Sequence, residues 1–238
     1  MATSAQPFPE NLLINFTIVE TILRDRKSFF GAIRDNVDLW TKIRAMMISC
    51  AMFFAVYGAV MGASHSPIQG IVSFFKLPLL FLVTLIICTP SLYFFNILFG
   101  SKQTLAQNIS LVLTAMTTTS VILLSFAPVT FFFLLTTSQY AFFKLLNVVF
   151  FTIAGALGVL FLRQGMVATS DPHNLEGIHA RRLIFVLWIL LYAFVGTQMA
   201  FALSPFMGDP HLPFMLFTQP GSNFYSNVLI SVRQLLGY

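Results

Sequence analysis

His173, Glu176 and His179 stand three apart in the most polar segment of the chain, 163–182. Imidazoles and a carboxylate at short spacing are the material of a zinc or iron site. The helical zinc pattern, two His four apart with Glu between, is absent. On a helix, steps of three drift by about 60° each and spread the set over roughly 120°. Gly177 weakens such a helix further. The segment is therefore expected to be a solvated loop, with Arg181 and Arg182 as a topology anchor. These three residues are the metal candidate, and no metal or other cofactor is expected.

A second group lies in apolar surroundings. Thr114, Thr117, Thr118, Thr119 and Ser120 form a hydroxyl-rich run. Hydroxyls in such a place can line a wet path, bond back to their own helix carbonyls, or join helices. They cover two consecutive faces and make no single pore stripe. Lys144 sits about one turn inside an apolar segment, where its stem can snorkel to the headgroups. Gln198 is mid-segment, and an amide there is expected to bond across helices, as are Asn96 and Asn147. No Asp or Glu falls within an apolar run, which argues against ion-coupled transport and paired-carboxylate chemistry. No His does either, so a haem held between two intramembrane histidines cannot be built. There is no Gly-Xaa-Ser-Xaa-Gly elbow and no phosphate-binding Gly loop. The chain reads as a non-enzyme.

The elements that position these residues follow from composition. Hydrophobic residues are 57% of 238 and charged residues 9%, with 28 Phe. Soluble domains run at roughly 45–50% and about 25%. A soluble fold of this size could not hide that much apolar surface, so an all-α integral membrane protein is expected. Five spans are expected, at about 43–63, 77–99, 105–126, 140–162 and 183–205. Pro78 opens the second, and 127–139 is too short to cross, so it reads as re-entrant or interfacial. Ile71–Phe75 reads as a further interfacial piece. The net charge of +5 belongs to loops held on the cytoplasmic side and does not point to nucleic acid. With the N-terminus inside, ten Lys and Arg lie on the cytoplasmic side. Only Lys76, Lys144 and Arg233 fall opposite. N-terminus in and C-terminus out is the expected topology. Cys50 and Cys88 read as small buried hydrophobes. No cleavable leader or lipidation motif is evident.

Both ends carry amphipathic stretches. Within the N-terminal segment 1–42, Phe16, Leu23, Phe30 and Val37 recur every seven residues, and Trp40 lies on a parallel row. That predicts one helix over 10–40 with an apolar stripe. It is expected either to lie on the membrane or under the protein's own spans, or to dock a partner. In the tail, 206–238, Ser222-Asn223 can cap a helix bearing Phe224, Tyr225 and Val228. That helix is expected on the surface or against a neighbouring subunit.

Pro78, Gly100-Ser101 and closely coupled third and fourth spans resemble the Yip family of membrane-trafficking proteins and their bacterial relatives. The resemblance covers roughly 77–162 and implies five spans with a cytoplasmic N-terminus. The acidic-tyrosine signatures of the trafficking members are not evident. The run 194–212 also looks like a segment of uncharacterised bacterial multi-span proteins. The function expected is that of a subunit or scaffold of a membrane complex, contacting lipid and other membrane subunits or further copies of itself. A bacterial inner membrane is the expected host. The rival is an oligomeric channel or a lipid or small-solute transporter with its path along Thr117–Thr119.

Overall fold

The computed structural model describes residues 10–64, 66–98, 103–137, 139–169, 178–208, 214–217 and 224–235. Among the described residues eight helices follow one another: α1 Glu10–Arg24, α2 Arg26–Arg34, α3 Leu39–Gly62, α4 Pro67–Leu98, α5 Leu105–Thr136, α6 Tyr140–Thr169, α7 Ile178–Ala202 and α8 Phe224–Leu235. The described residues hold no strand. Among the described residues five helices, α3 to α7, are long and apolar enough to cross a membrane. The chain is a polytopic, multi-pass α-helical membrane protein in contact with lipid.

Two short apolar pieces expected beside the spans are parts of them. Residues 127–136 continue α5 through Pro128, and Ile71–Phe75 belongs to α4. Proline removes one ladder bond, but in lipid the remaining backbone groups have no other partners, so the helix carries on. Pro78 accordingly lies inside α4. Pro67 opens that helix instead, at a first-turn position where its missing N–H costs nothing. Helices of 32 residues are about 48 Å long, against a hydrocarbon core of about 30 Å. The ends of α4 and α5 therefore reach into the interface. Gly100-Ser101 lies outside the described residues.

The single amphipathic helix expected over 10–40 is two helices and a turn. Asp25 interrupts it, and its carboxylate accepts from the Ser28 amide at 3.3 Å to cap α2. Asn36 and Asp38 then take left-handed conformations, φ 58° and 49°, which short polar side chains tolerate. That turn sends the chain up into α3. Val19, Ile22, Phe29, Phe30 and Ile33 are buried against the bundle, where α1 packs on α3 and α5, and α2 on α5 and α6.

Packing among the spans is uneven. α3 lies against α4 and α5, and α5 against α6. Gly58 and Gly62, four apart on α3, bring α4 so close that a Cβ on Gly62 would fall 2.6 Å from the Gln69 carbonyl. Small residues at this spacing let backbones approach where no hydrophobic force drives helices together. Gly158 does the same on α6, against the Thr119 hydroxyl and Ala115 carbonyl. α7 packs chiefly on α4, touches α8, and has no substantial contact with α6. Gly62→Leu is expected to cost roughly 1–3 kcal/mol through overpacking, read as a lower melting temperature in detergent. Gly31→Ala, whose new Cβ meets nothing within 4 Å, should leave that temperature unchanged or raise it.

Candidate functional site

The hydroxyl run of α5 bonds chiefly back to its own helix. Thr114 donates to the Ser110 carbonyl at 2.7 Å, Thr118 to Thr114 at 2.9 Å, and Ser120 to Thr117 at 2.8 Å. Thr119 donates to Ala115 and, across to α6, to Ala154 at 3.3 Å. The Thr117 hydroxyl is buried with no partner among the described atoms. Of this row only Thr119 lines the cavity described below.

Further polar contacts tie the spans. The Tyr57 hydroxyl of α3 donates to Asn147 Oδ1 of α6 at 2.7 Å and lies 3.4 Å from the Thr130 hydroxyl of α5. Trp188 Nε1 of α7 donates to the Cys88 carbonyl at 3.1 Å and to Ser91 Oγ at 3.2 Å, both on α4. On the N-terminal side, Asn96 donates to Asn108 Oδ1 at 2.5 Å and Gln103 to Thr169 Oγ1 at 2.6 Å. The interhelix bonds expected of Asn96 and Asn147 are made. Gln198 is half-buried on α7 and outside the cavity, and its side chain makes no interhelix bond among the described residues.

Two glutamines, one at each end of the bundle, hold the terminal segments. Thr104 caps α5, with its hydroxyl on the Gln107 amide and Gln107 Oε1 on the Thr104 amide, a complete capping box. Gln107 Nε2 then donates to the carbonyls of Ile33 at 3.1 Å and Arg34 at 2.9 Å, gripping the end of α2. Beside it, the Arg26 guanidinium lies 4.3 Å from the centre of the Phe161 ring. On the tail side Ser66 caps α4 through the Gln69 amide at 3.2 Å. Gln69 Nε2 donates to the Pro205 and Phe206 carbonyls at 2.7 and 3.3 Å. Ser73 Oγ adds a bond to Phe206 at 2.6 Å, and Lys76 reaches Pro205, Leu216 and the Phe217 ring. From α6, the Tyr140 hydroxyl donates to the Met207 carbonyl at 3.3 Å. Residues 204–208 are thus a strap drawn from α4 to α6. The second capping box stays open: Gln69, 1% exposed, leaves its Oε1 without a partner.

Behind the strap lies a cavity of about 1040 Å³. Its walls come from α4 to α7, and the strap and α8 line its tail-side end. On α6 its lining runs from Tyr140 to Leu162, about 33 Å along the axis, close to the depth of a hydrocarbon core. The walls are largely apolar, with polar groups at the tail side, Gln69, Lys144 and Asn227 among them, and along the spans, Thr84, Thr119 and Thr152 among them. Lys144 is half-buried and its ammonium donates to the Asn227 carbonyl of α8 at 3.4 Å. Among the described residues no Asp or Glu lines the cavity.

The docking candidates separate. Phe30 is buried under the bundle, whereas Leu23, Val37 and Trp40 are exposed, Trp40 at 66%. The Phe16 side chain lies outside the described residues. In α8, Phe224 and Val228 are half-buried and line the cavity. Tyr225 is exposed, its hydroxyl 3.1 Å from that of Thr197. The Ser222-Asn223 cap, His173 and Glu176 lie outside the described residues, and His179 falls in the first turn of α7. Among the described residues no His, Cys, Asp and Glu group could hold a metal.

Sequence reasoning missed Gln69, Trp188 and the strap. The Ser66-Pro-Ile-Gln69 capping pattern and the Gly58-Xaa-Xaa-Xaa-Gly62 motif were the available signals. Nothing in the sequence pairs Gln69 with residues 136 positions away. Compared with protein families, curated proteins and solved structures, the chain matches none. Trp188→Phe keeps the buried ring and deletes the donor, and is expected to cost about 1 kcal/mol, measured as a lower melting temperature.

Proposed function

We propose that this chain is a non-catalytic subunit or scaffold of a larger membrane assembly, acting by helix packing and partner docking. The observation that carries the reading is the state of α7. Only 11% of its most apolar window is buried within the chain, against 61% for α3. Leu183, Val186, Leu187, Leu190, Leu191 and Phe194 all face away from the chain's own core. A span so thinly packed in its own chain is a surface on which a neighbouring subunit's helix can sit. The exposed Val37 and Trp40, beside the turn into α3, offer a second contact on the N-terminal side. The proposal includes a cytoplasmic N-terminus, a C-terminus opposite, a bacterial inner membrane, and the kinship with the Yip family drawn from 77–162.

The cavity favours a second reading, lipid or small-solute handling. Its route would follow the space between α6 and α7 and would not follow Thr117 and Thr118, which are buried among the helices.

Leu187→Cys and Leu190→Cys provide the test, because the native Cys50 and Cys88 are buried. Bifunctional thiol–amine cross-linking in native membranes is expected to give an adduct with a different chain at a discrete larger mass. Adducts of this chain with itself alone, or none at all, would overturn the subunit reading.

A further inference from the structure

The space between α6 and α7 is long, largely apolar, and bordered by small residues. Gly155 and Ala156 line it from α6, and Ala193, Gly196 and Ala200 from α7. A Cβ on Gly155 would meet nothing within 4 Å, and one on Gly196 only the Thr84 methyl at 3.9 Å. A neighbour's spanning helix would have to pass out at both ends. α8, which packs on α6 and touches α7, lies across the tail-side end. A hydrocarbon chain needs only one open end.

Along the spans, the polar side chains of the lining are already engaged among the described residues, with one exception. Thr84 and Thr152 donate to carbonyls four residues back, and Thr119 to Ala115 and Ala154. Asn147 is taken up by Tyr57 and Phe143, and Trp188 by Cys88 and Ser91. Thr197 is taken up by Phe194 and Tyr225. The exception is Tyr192, whose ring lies 5.3 Å from that of Trp188 and whose hydroxyl has no hydrogen-bond partner among the described residues. The polar atoms sealed off without a partner there are Gln69 Oε1 and the Thr117 hydroxyl. The Tyr192 hydroxyl is not sealed, so it is reachable from the space its residue lines.

A phenol kept from water in a membrane span calls for an acceptor. Depth narrows what can supply one. Tyr192 stands seven residues past Phe185, where the apolar stretch of α7 begins, about 10 Å along the axis. A tyrosine on a helix leans toward the helix N-terminus, so its hydroxyl lies shallower than its Cα. In a hydrocarbon core of about 30 Å, that is the outer part of one leaflet. Glycerolipid acyl chains carry their ester carbonyls at that end.

We propose that the space between α6 and α7 binds a diacyl glycerolipid through an ester carbonyl that accepts from the Tyr192 hydroxyl, its acyl chain running past Gly155 and Gly196 toward α8. Recognition is of the acyl ester, and the headgroup is not selected. The site claims occupancy, whereas the lipid-handling reading claims movement. It uses none of the outward leucines of the subunit reading, so each can fail without the others.

The test is native mass spectrometry of protein extracted from vesicles of equimolar diacyl- and dialkyl-phosphatidylcholine with equal chain lengths. The two lipids differ at the ester carbonyls alone. One retained lipid per chain is expected, with the diacyl form favoured about fivefold, the worth of one neutral hydrogen bond. Tyr192→Phe should level the two while still retaining lipid. Gly155→Leu puts a side chain into the space from a position whose Cβ meets nothing within 4 Å. It should lower retention of both lipids several-fold and keep its helical circular dichroism. Equal retention by the unaltered protein, or a dialkyl preference, would overturn the proposal. So would a diacyl preference undiminished in Tyr192→Phe, retention unchanged in Gly155→Leu, or no retained lipid at all.

Discussion

Lipid tails are as apolar as leucine, so these helices are held together by close backbone approach and hydrogen bonds, not by flight from water. The chain distributes both unevenly. Gly58 and Gly62 seat α4 on α3, and Gly158 seats α5 on α6. The Tyr57–Asn147 bond and the stacked Phe54–Phe81 and Phe126–Phe150 rings reinforce the same block. α7 receives no such glycine contact. Its one intramembrane anchor to another span is Trp188 on α4, among the hydrogen bonds of the described residues. The opening between α6 and α7 is the consequence. A helix tied along one edge leaves its other inward face unfilled, and a bilayer can fill that space at no hydrophobic cost.

The two glutamines at the ends of the bundle show one local motif put to two uses. Each is the third residue of a span, placed there by a Ser or Thr cap, and each grips the carbonyls of a terminal segment with its amide nitrogen. At Gln107 the oxygen is satisfied by the capping box, and the N-terminal side is closed by α2. At Gln69 the oxygen is buried without a partner. The difference separates a structural clamp from a site with an unmet hydrogen-bonding demand.

Fold class and span number were legible because apolar length and charge scarcity are properties of the chain alone. The interruption of 10–40 was not. The seven-residue recurrence runs straight through Asp25, and only the cap on Ser28 and the left-handed Asn36 and Asp38 reveal the break. Pro128 misled in the opposite sense, since proline ends helices in water more readily than in lipid. The back-bonding of the hydroxyl run on α5 is a local property that spacing discloses, since each donor reaches a carbonyl three or four residues back. The cavity was out of reach. It is made by what α7 fails to touch, and no residue pattern records an absent contact.

The central claim is that α7 stands apart from α6 and leaves between them a largely apolar space that acyl chains can enter. Solid-state nuclear magnetic resonance of the protein in bilayers, with labelled alanine and labelled acyl chains, measures this directly. Ala156 of α6 and Ala193 of α7 both line the space. The account predicts cross-peaks from each methyl to acyl chains and none between the two. A direct Ala156–Ala193 correlation, without acyl contact at either, would show α7 closed onto α6 and contradict it.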